Sequence, residues 1–269
     1  MKRFQIVLLI ALLLPAAAWG EPRPEDRERE QLLATGKIVK IEELPVGTTR
    51  PLKVSINVDN KLYFAVFKGV DVQPRGVTQF RGRKPTIGFT DTYRHDRAAY
   101  ALDRLLELNM IPVTVIRKVR QKRGALVDWV PDAITELDRR TGDLKPDDSK
   151  ILDDQWAVMR MFDALINNPD RNLGNQLYTR PDWTLHLIDH TRAFTRSRQI
   201  PDTYREQWSR LPRRVYENLK SLDPDQVRAV TRTLLSAAQV KDLFIRRDLI
   251  LKKIEGDISA LGEEGVFYE

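Results

Sequence analysis

The chain has 269 residues, of which 42% are hydrophobic and 31% charged, a balance that supports one large domain or two lobes and excludes both a disordered chain and a bundle of membrane spans. Cysteine is absent, which removes disulfides, thiolate catalysis and zinc fingers. The formal charge is +7, with the excess gathered at Arg75, Arg81, Arg83 and Lys84 in one loop and at Arg117, Lys118, Arg120, Lys122 and Arg123 in another. No helix or sheet pattern of a nucleic-acid reader accompanies these clusters, so no nucleic acid is expected as a partner.

Taken in chain order, residues 1–20 read as a signal peptide. Lys2 and Arg3 precede the apolar run Phe4 to Leu14, and Ala18 and Gly20 satisfy a small-x-small cleavage pattern. Cleavage is expected after Gly20, because the apolar run is shorter than the roughly 20 residues a bilayer needs. The mature protein would then be periplasmic or secreted, with no stable membrane span. Residues 21–37 read as a leader, polar and loose over Glu21 to Glu30. Ile38–Ile41, Leu52–Ile56 and Leu62–Lys68 alternate as strands of an antiparallel sheet. Ala98, Ala99, Leu102, Leu105 and Leu106 give a helix ending near Asn109, and Val113–Ile116 and Ala125–Val127 resume the sheet. Beyond Pro131 the pattern is mostly helical, with Leu243, Ile250, Ile254, Ile258 and Leu261 spaced as the core face of a tail helix. The fold class is therefore α+β, with a β-rich N-terminal lobe over 38–130 and a helical C-terminal lobe over 131–269.

Chemistry concentrates in the second lobe. Ile151, Leu152, Trp156, Met159, Phe162 and Ile166 mark a helix that Asn167-Asn168-Pro169 stops, since proline lacks an amide donor and forces its predecessor out of the helical region. Asp170 follows on a loop, Asn175 five residues later. The strand-like runs Gln176–Tyr178 and Leu185–Ile188 form a hairpin that, folded about residue 182, sets Asn175 opposite Asp189. Mg²⁺ takes a few hard oxygens and keeps the rest of its shell for water and phosphate, so one Asn and one Asp suffice. An Asp, an Asn at plus five and a second Asp across a hairpin is the spacing with which kinases assemble a base and two metal ligands. Singly, each residue also suits an ordinary turn. A metal hydrolase fits less well, because the three histidines, His95, His186 and His190, lack zinc-site spacing.

Ala98-Ala99-Tyr100-Ala101-Leu102-Asp103-Arg104-Leu105-Leu106, Ile111-Pro112, the run Asp163 to Asn175, Ile188-Asp189-His190 and Ala193-Phe194 resemble bacterial proteins of the phosphatidylinositol 3-/4-kinase-like group, related in fold to HipA-type and secreted Golgi-type kinases. The resemblance runs from Ile38 to the C-terminus and implies a two-lobed protein-kinase-like fold. It implies an exported phosphotransferase moving the ATP γ-phosphate to a hydroxyl acceptor, on protein, lipid or small molecule. By this likeness Asp170 orients or deprotonates the acceptor, Asn175 and Asp189 hold Mg²⁺, and Lys68 holds the nucleotide phosphates. The turn containing Gly47 covers the phosphates, and backbone groups of the Asp128–Val130 hinge take the adenine. Asp96 stands where a glutamate usually pairs with the strand lysine. Being one methylene shorter, it is expected to pair only on lobe closure, or else to serve as an N-cap or first-turn acid. His190 is expected to pack beside Asp189 or to orient it. Two other readings stay open: a non-catalytic pseudokinase acting as a nucleotide-binding or interaction module, and a nucleotidyl (AMP) transferase on the same fold. Neither the acceptor nor an oligomeric state is marked in the sequence.

Overall fold

Five antiparallel strands build the first lobe: β1 (Lys37–Glu43), β2 (Leu52–Val58), β3 (Lys61–Lys68), β4 (Thr114–Val119) and β5 (Lys122–Asp128), in the spatial order β1-β2-β3-β5-β4. The computed structural model describes residues 24–45, 50–72, 89–204 and 210–268, together with the backbone of 77–78 and 86–87. The signal segment 1–20 and Gly47 lie outside the described residues. Alternation along β2 and β3 buries Val54, Ile56, Ala65 and Phe67 on one face, as the two-residue period of a strand requires. Helix α2 (Tyr93–Leu105) packs against β4 and β5, capped by Thr92, whose hydroxyl accepts from the amide of Arg94.

The polar leader is a helix from Pro24 onward, and this corrects the expectation of a loose segment there. Helix α1 (Pro24–Thr35) lacks a broad apolar stripe, burying of its hydrophobic residues Leu33 completely. Ion pairs hold it instead. Arg29 donates from Nε and Nη2 to the two carboxylate oxygens of Asp128 at 2.7 and 2.5 Å. Asp26 accepts from Arg104 Nε at 2.8 Å. Arg117 donates to the carbonyls of Leu33 and Gly36 at 2.8 and 2.7 Å, satisfying the helix C-terminus. A sequence dominated by Glu, Asp and Arg looks unstructured until its charged partners elsewhere in the chain are in place.

The second lobe is built on α3 (Glu136–Thr141), α4 (Lys150–Ile166), α5 (Arg213–Ser221), α6 (Pro224–Thr231) and α7 (Ala237–Leu261), with the hairpin β6 (Gln176–Thr179) and β7 (Thr184–Leu187). Helix α4 ends in Asn167, whose left-handed backbone (φ 49°) suits the residue type best able to adopt it after glycine. One apolar cluster runs through both lobes, from Leu33 and Ile56 through Leu102 and Phe162 to Leu243 and Ile254. Along α7, Leu243, Ile250 and Ile254 are buried, but Leu261 at the last turn is 63% exposed and lies beyond the core.

The hairpin register is one residue off the expected one. Gln176 pairs with Leu187 and Tyr178 with Leu185, so the loop centres between Pro181 and Asp182 and Asn175 faces Ile188, whose amide donates to its carbonyl at 3.2 Å. Burial decides this: the observed pairing puts Gln176, Tyr178, Leu185 and Leu187 together on the buried face, and a one-residue slip would send one strand's set outward.

At Gly124 the sheet tolerates no side chain. A Cβ there would lie 2.3 Å from the Lys68 carbonyl and 2.6 Å from the Phe67 ring. Gly124→Ala is therefore expected to destabilise by about 1–3 kcal/mol through overpacking and to displace the end of β3. Gly256→Ala, where an added Cβ meets nothing within 4 Å, should instead stabilise α7 by about 0.5–1 kcal/mol. Urea midpoints of the two variants, moving in opposite directions from wild type, check this.

Candidate functional site

Strand β3 ends at Lys68, and its ammonium lies between two carboxylates far apart in sequence. Nζ donates to Asp189 Oδ1 at 2.9 Å and stands 3.4 Å from Asp96 Oδ2. The Lys68 side chain is 12% exposed and that of Asp96 3%, whereas that of Asp189 is 39% exposed and opens to solvent. Burial by itself lowers the Lys68 ammonium; Asp96 and Asp189 outweigh it and hold it above its ordinary value. Burial likewise opposes ionisation of Asp96, yet Lys68 and then His190 pull its carboxyl down to about 2. The pair is thus formed as the protein stands, which corrects the expectation that Asp96 is too short without further closure. Asp96 is also a first-turn acid, while the N-cap is Thr92.

The reach of Asp96 comes from the chain after Asp189. The amide of His190 donates to Asp96 Oδ1 at 2.7 Å, and the amide of Thr92 donates to the Thr191 carbonyl at 3.0 Å. His95 Nδ1 meets the same carbonyl at 3.1 Å and therefore carries the proton there, leaving Nε2 to accept from Gln239 at 3.1 Å. The first turn of α2 is consequently fixed to residues 190–191. Asp189 adopts a left-handed backbone (φ 60°), an unusual conformation for a residue with a Cβ that turns its carboxylate out of the strand.

Beneath the loop runs a buried staple. Arg171 donates from Nε and Nη2 to Asp163 at 2.8 and 3.0 Å, and from Nη1 to the carbonyls of Asn175 and Ile188 at 2.8 Å each. Its Nη2 also meets His190 Nε2 at 2.8 Å. Arginine cannot accept, so His190 Nε2 does, and the ring proton sits on Nδ1, 3.7 Å from Asp96 Oδ1. Burial lowers His190 below its usual value. His190 thus connects Asp96 to Arg171 rather than orienting the Asp189 carboxylate.

Asp170 and Asn175 sit on the loop that this staple supports. The Asn175 amide nitrogen donates to the Asp170 carbonyl at 3.1 Å, so its Oδ1 is the group left for a ligand. Asp170 Oδ2 accepts from Arg192 Nη1 at 2.9 Å, and Arg192 Nε donates to Asp91 at 3.2 Å. The structure therefore brings Lys68, Asp96 and Asp189 into one cluster and Asp170 with Asn175 onto the adjoining loop. Asp128 lies apart, its carboxylate held by Arg29 and its amide donating to the Val113 carbonyl. The next amide, of Trp129, goes to Phe64, and no described hydrogen bond engages the backbone of Val130.

Sequence reading missed Arg171, Asp163, Arg192 and Asp91. Arg171 lies inside the Asp-Arg-Asn run and Arg192 two residues after His190, but an arginine is abundant here and its partners are visible only in three dimensions.

The charges fit a divalent cation. Lys68 and Arg192 face four carboxylates, those of Asp91, Asp96, Asp170 and Asp189, leaving the group anionic. Asp91 Oδ1 is buried without a hydrogen-bond partner, while Asp96 Oδ2 is already faced by the Lys68 ammonium at 3.4 Å. Among the described residues no three His, Asp or Glu side chains gather closely enough to hold a metal alone; an ion held by Asn175 and Asp189 would need water and ligand oxygens to complete its shell.

No protein-family model matches the chain, and no curated protein matches its sequence. Solved structures do match it. Hydra Fam20 with sugar superposes with a TM-score of 0.68 at 16% identity, over 91% of this chain and 92% of that one. The Golgi casein kinase with Mn and ADP bound gives a TM-score of 0.66 at 16% identity, over 90% and 78% of the two chains. A further structure of the Golgi casein kinase gives 0.67 at 15% identity, over 92% and 78%. The chain has the two-lobed, α+β, kinase-like fold.

Burial drives the His95 ring, neutral in its bonds to Thr191 and Gln239, down to about 4 from an ordinary 6.5. Between these values the unfolded chain binds more protons, so stability falls as pH drops from 6.5 toward 4, by on the order of 3 kcal/mol from this residue. The urea midpoint of wild type should lose more than that of His95→Gln between pH 7 and pH 4.5; equal losses would exclude His95 as the source.

Proposed function

We propose that this protein is an ATP-dependent phosphotransferase that moves the γ-phosphate to a hydroxyl acceptor. The carrying observation is the Lys68 ammonium at 2.9 Å from Asp189 and 3.4 Å from Asp96, which joins the nucleotide-binding strand, the helix acid and the metal-binding aspartate of a kinase-like fold in one contact. Phosphoryl transfer asks little covalent chemistry of a protein and depends on position and charge, and both are built here.

Each residue then has a task. Lys68, aligned by Asp96, binds the nucleotide phosphates as a point charge. Asp189 and Asn175 hold Mg²⁺, which when bound neutralises charge on the phosphates. Asp170 orients the acceptor hydroxyl through Oδ1, because Arg192 occupies Oδ2. Arg171 fixes the loop and hairpin against each other, so the distance between Asp170 and Asp189 is set by a buried group rather than by solvent-exposed backbone. The free backbone of Val130, one residue past an amide already used by Phe64, suits adenine recognition. The resemblance to phosphatidylinositol 3-/4-kinase-like proteins supports the same assignment, and the charged start and apolar run of residues 2–14 support export. Among the described residues no helix is long and apolar enough to cross a membrane.

Melting of the chain from Glu21 to Glu269 with and without ATP and Mg²⁺ tests the site. Ligand at 100 times its dissociation constant adds about 2.7 kcal/mol to the folded state. The metal-dependent rise should vanish in Asp189→Ala and weaken in Lys68→Met. In Asp170→Ala it should persist while turnover is lost. Hydrolysis or transfer followed with γ-labelled and α-labelled ATP separates phosphoryl from nucleotidyl transfer. Equal stabilisation of Asp189→Ala and wild type would remove the metal assignment.

A further inference from the structure

Strand β3 divides its side chains between two faces. Ala65 and Phe67 enter the core, while Phe64, Val66 and Lys68 take the opposite side and stay half-buried. Lys53 on β2 is the register partner of Val66, so it shares that side with Lys68. Trp129 joins them from the end of β5, its amide donating to the Phe64 carbonyl at 3.1 Å. Phe64, Val66 and Trp129 belong to neither apolar cluster of the described residues. Two aromatic rings and a valine therefore form a ledge on the Lys68 side of the sheet, outside both cores.

The Lys53 ammonium lies over this ledge, 4.6 Å from the centre of the Phe64 ring and 4.3 Å from that of a Trp129 ring, distances at which ring faces hold a cation. The cross-strand alternative is unused. Glu42 is directly opposite Lys53 on β1, yet its carboxylate pairs with Lys40 at 2.9 Å, and among the described residues Lys53 Nζ makes no ion pair or hydrogen bond. Aromatic rings thus set the position of the ammonium and leave its N–H donors unspent. Phe64 stands four residues up β3 from Lys68, roughly 13 Å at the rise of a strand, a separation that a nucleotide spans from base to outer phosphates.

We infer that Lys53 is a base-contacting residue of the nucleotide site, donating from Nζ to a ring nitrogen of a purine that rests against Val66 and the edge of the aromatic ledge. A purine offers flat apolar faces and ring-nitrogen acceptors, and the ledge offers apolar surface beside an ammonium with donors to spare. The inference rests on the phosphotransfer reading, in which Lys68 takes the phosphates, and adds to it the side chain that separates a nucleotide from a bare polyphosphate.

Calorimetric titration of the chain from Glu21 to Glu269 with ATP and with inorganic tripolyphosphate, each with Mg²⁺, tests it. Wild type is expected to bind both. Lys53→Met keeps an unbranched stem over the rings and removes the donors, so ATP affinity should fall about fivefold, the worth of one hydrogen bond, with tripolyphosphate affinity unchanged. Lys53→Arg, which restores a cation with N–H donors, should recover most of the loss, whereas Lys68→Met should weaken both ligands. Equal ATP affinity in Lys53→Met and wild type would overturn the inference and leave the phosphotransfer reading standing. An equal loss for tripolyphosphate in Lys53→Met would overturn it by placing Lys53 at the phosphates. Failure of wild type to bind either ligand would remove the phosphotransfer reading and this inference with it.

Discussion

The buried pair of Arg171 and Asp163 fixes the geometry on which the rest of the site depends. Both side chains are removed from water, and an ion pair so placed survives desolvation only when its remaining donors and acceptors are satisfied. Here they are. Asp163 takes two bonds from Arg171 and one from Asn168 at 2.9 Å. Arg171 spends its other donors on the carbonyls of Asn175 and Ile188 and on His190. One guanidinium thereby joins the end of α4, both ends of the β6–β7 hairpin and the segment after Asp189. Removing Arg171 would leave the Asp163 carboxylate uncompensated in the core and free three elements at once, so lysine, with one point of charge, is no substitute.

From this staple the order passes to the other lobe through His190. Its ring leans on Arg171 while its amide holds Asp96, and Asp96 in turn stands beside Lys68. The neutral state of that ring matters: a protonated His190 would face Arg171 as a like charge, and burial prevents it. The chain of contacts runs Asp163, Arg171, His190, Asp96, Lys68, Asp189, with ionised and neutral groups placed so that no like charges touch. It is a polar network crossing the junction of two lobes whose apolar cores are otherwise continuous.

How much of this was legible in the sequence follows from the physical range of each signal. Asp170, Asn175 and Asp189 were singled out because hairpins and helix stops are local, and local spacing suffices to place their ends, whereas Lys68 was singled out on the family resemblance. Asp96 was found with the wrong expectation, because the shortening from Glu to Asp is visible in sequence while the approach of α2 that offsets it is not. Hairpin register slipped by one because Leu177 and Tyr178 are both apolar, and only burial in the finished fold selects Tyr178. Helix α1 was invisible for a stronger reason. Its stability lies in Asp26, Arg29 and Arg117 finding Arg104, Asp128 and the Leu33 carbonyl, partners at least 75 residues away that no periodicity encodes.

The shorter acid has a consequence for control. In a fold where the helix acid reaches the strand lysine from a distance, the helix can swing and break the pair. Here the first turn of α2 is tied to residues 190–191 by the Thr92 amide, the His95 ring and the Asp96 carboxylate, and His95 is further held from α7 through Gln239. Moving α2 outward would have to break these bonds together and expose a carboxylate and two neutral histidines, so the lysine–acid pair is a fixed part of the fold. What is left adjustable lies around Asp170 and Asp189. Asp170 and Asp189 are the two carboxylates of the cluster that remain substantially exposed, and Arg192 spans Asp170 and Asp91 from a half-exposed position. An acceptor bound as proposed would exchange solvent and one arginine contact for its own, while the lysine–acid pair would stay as built.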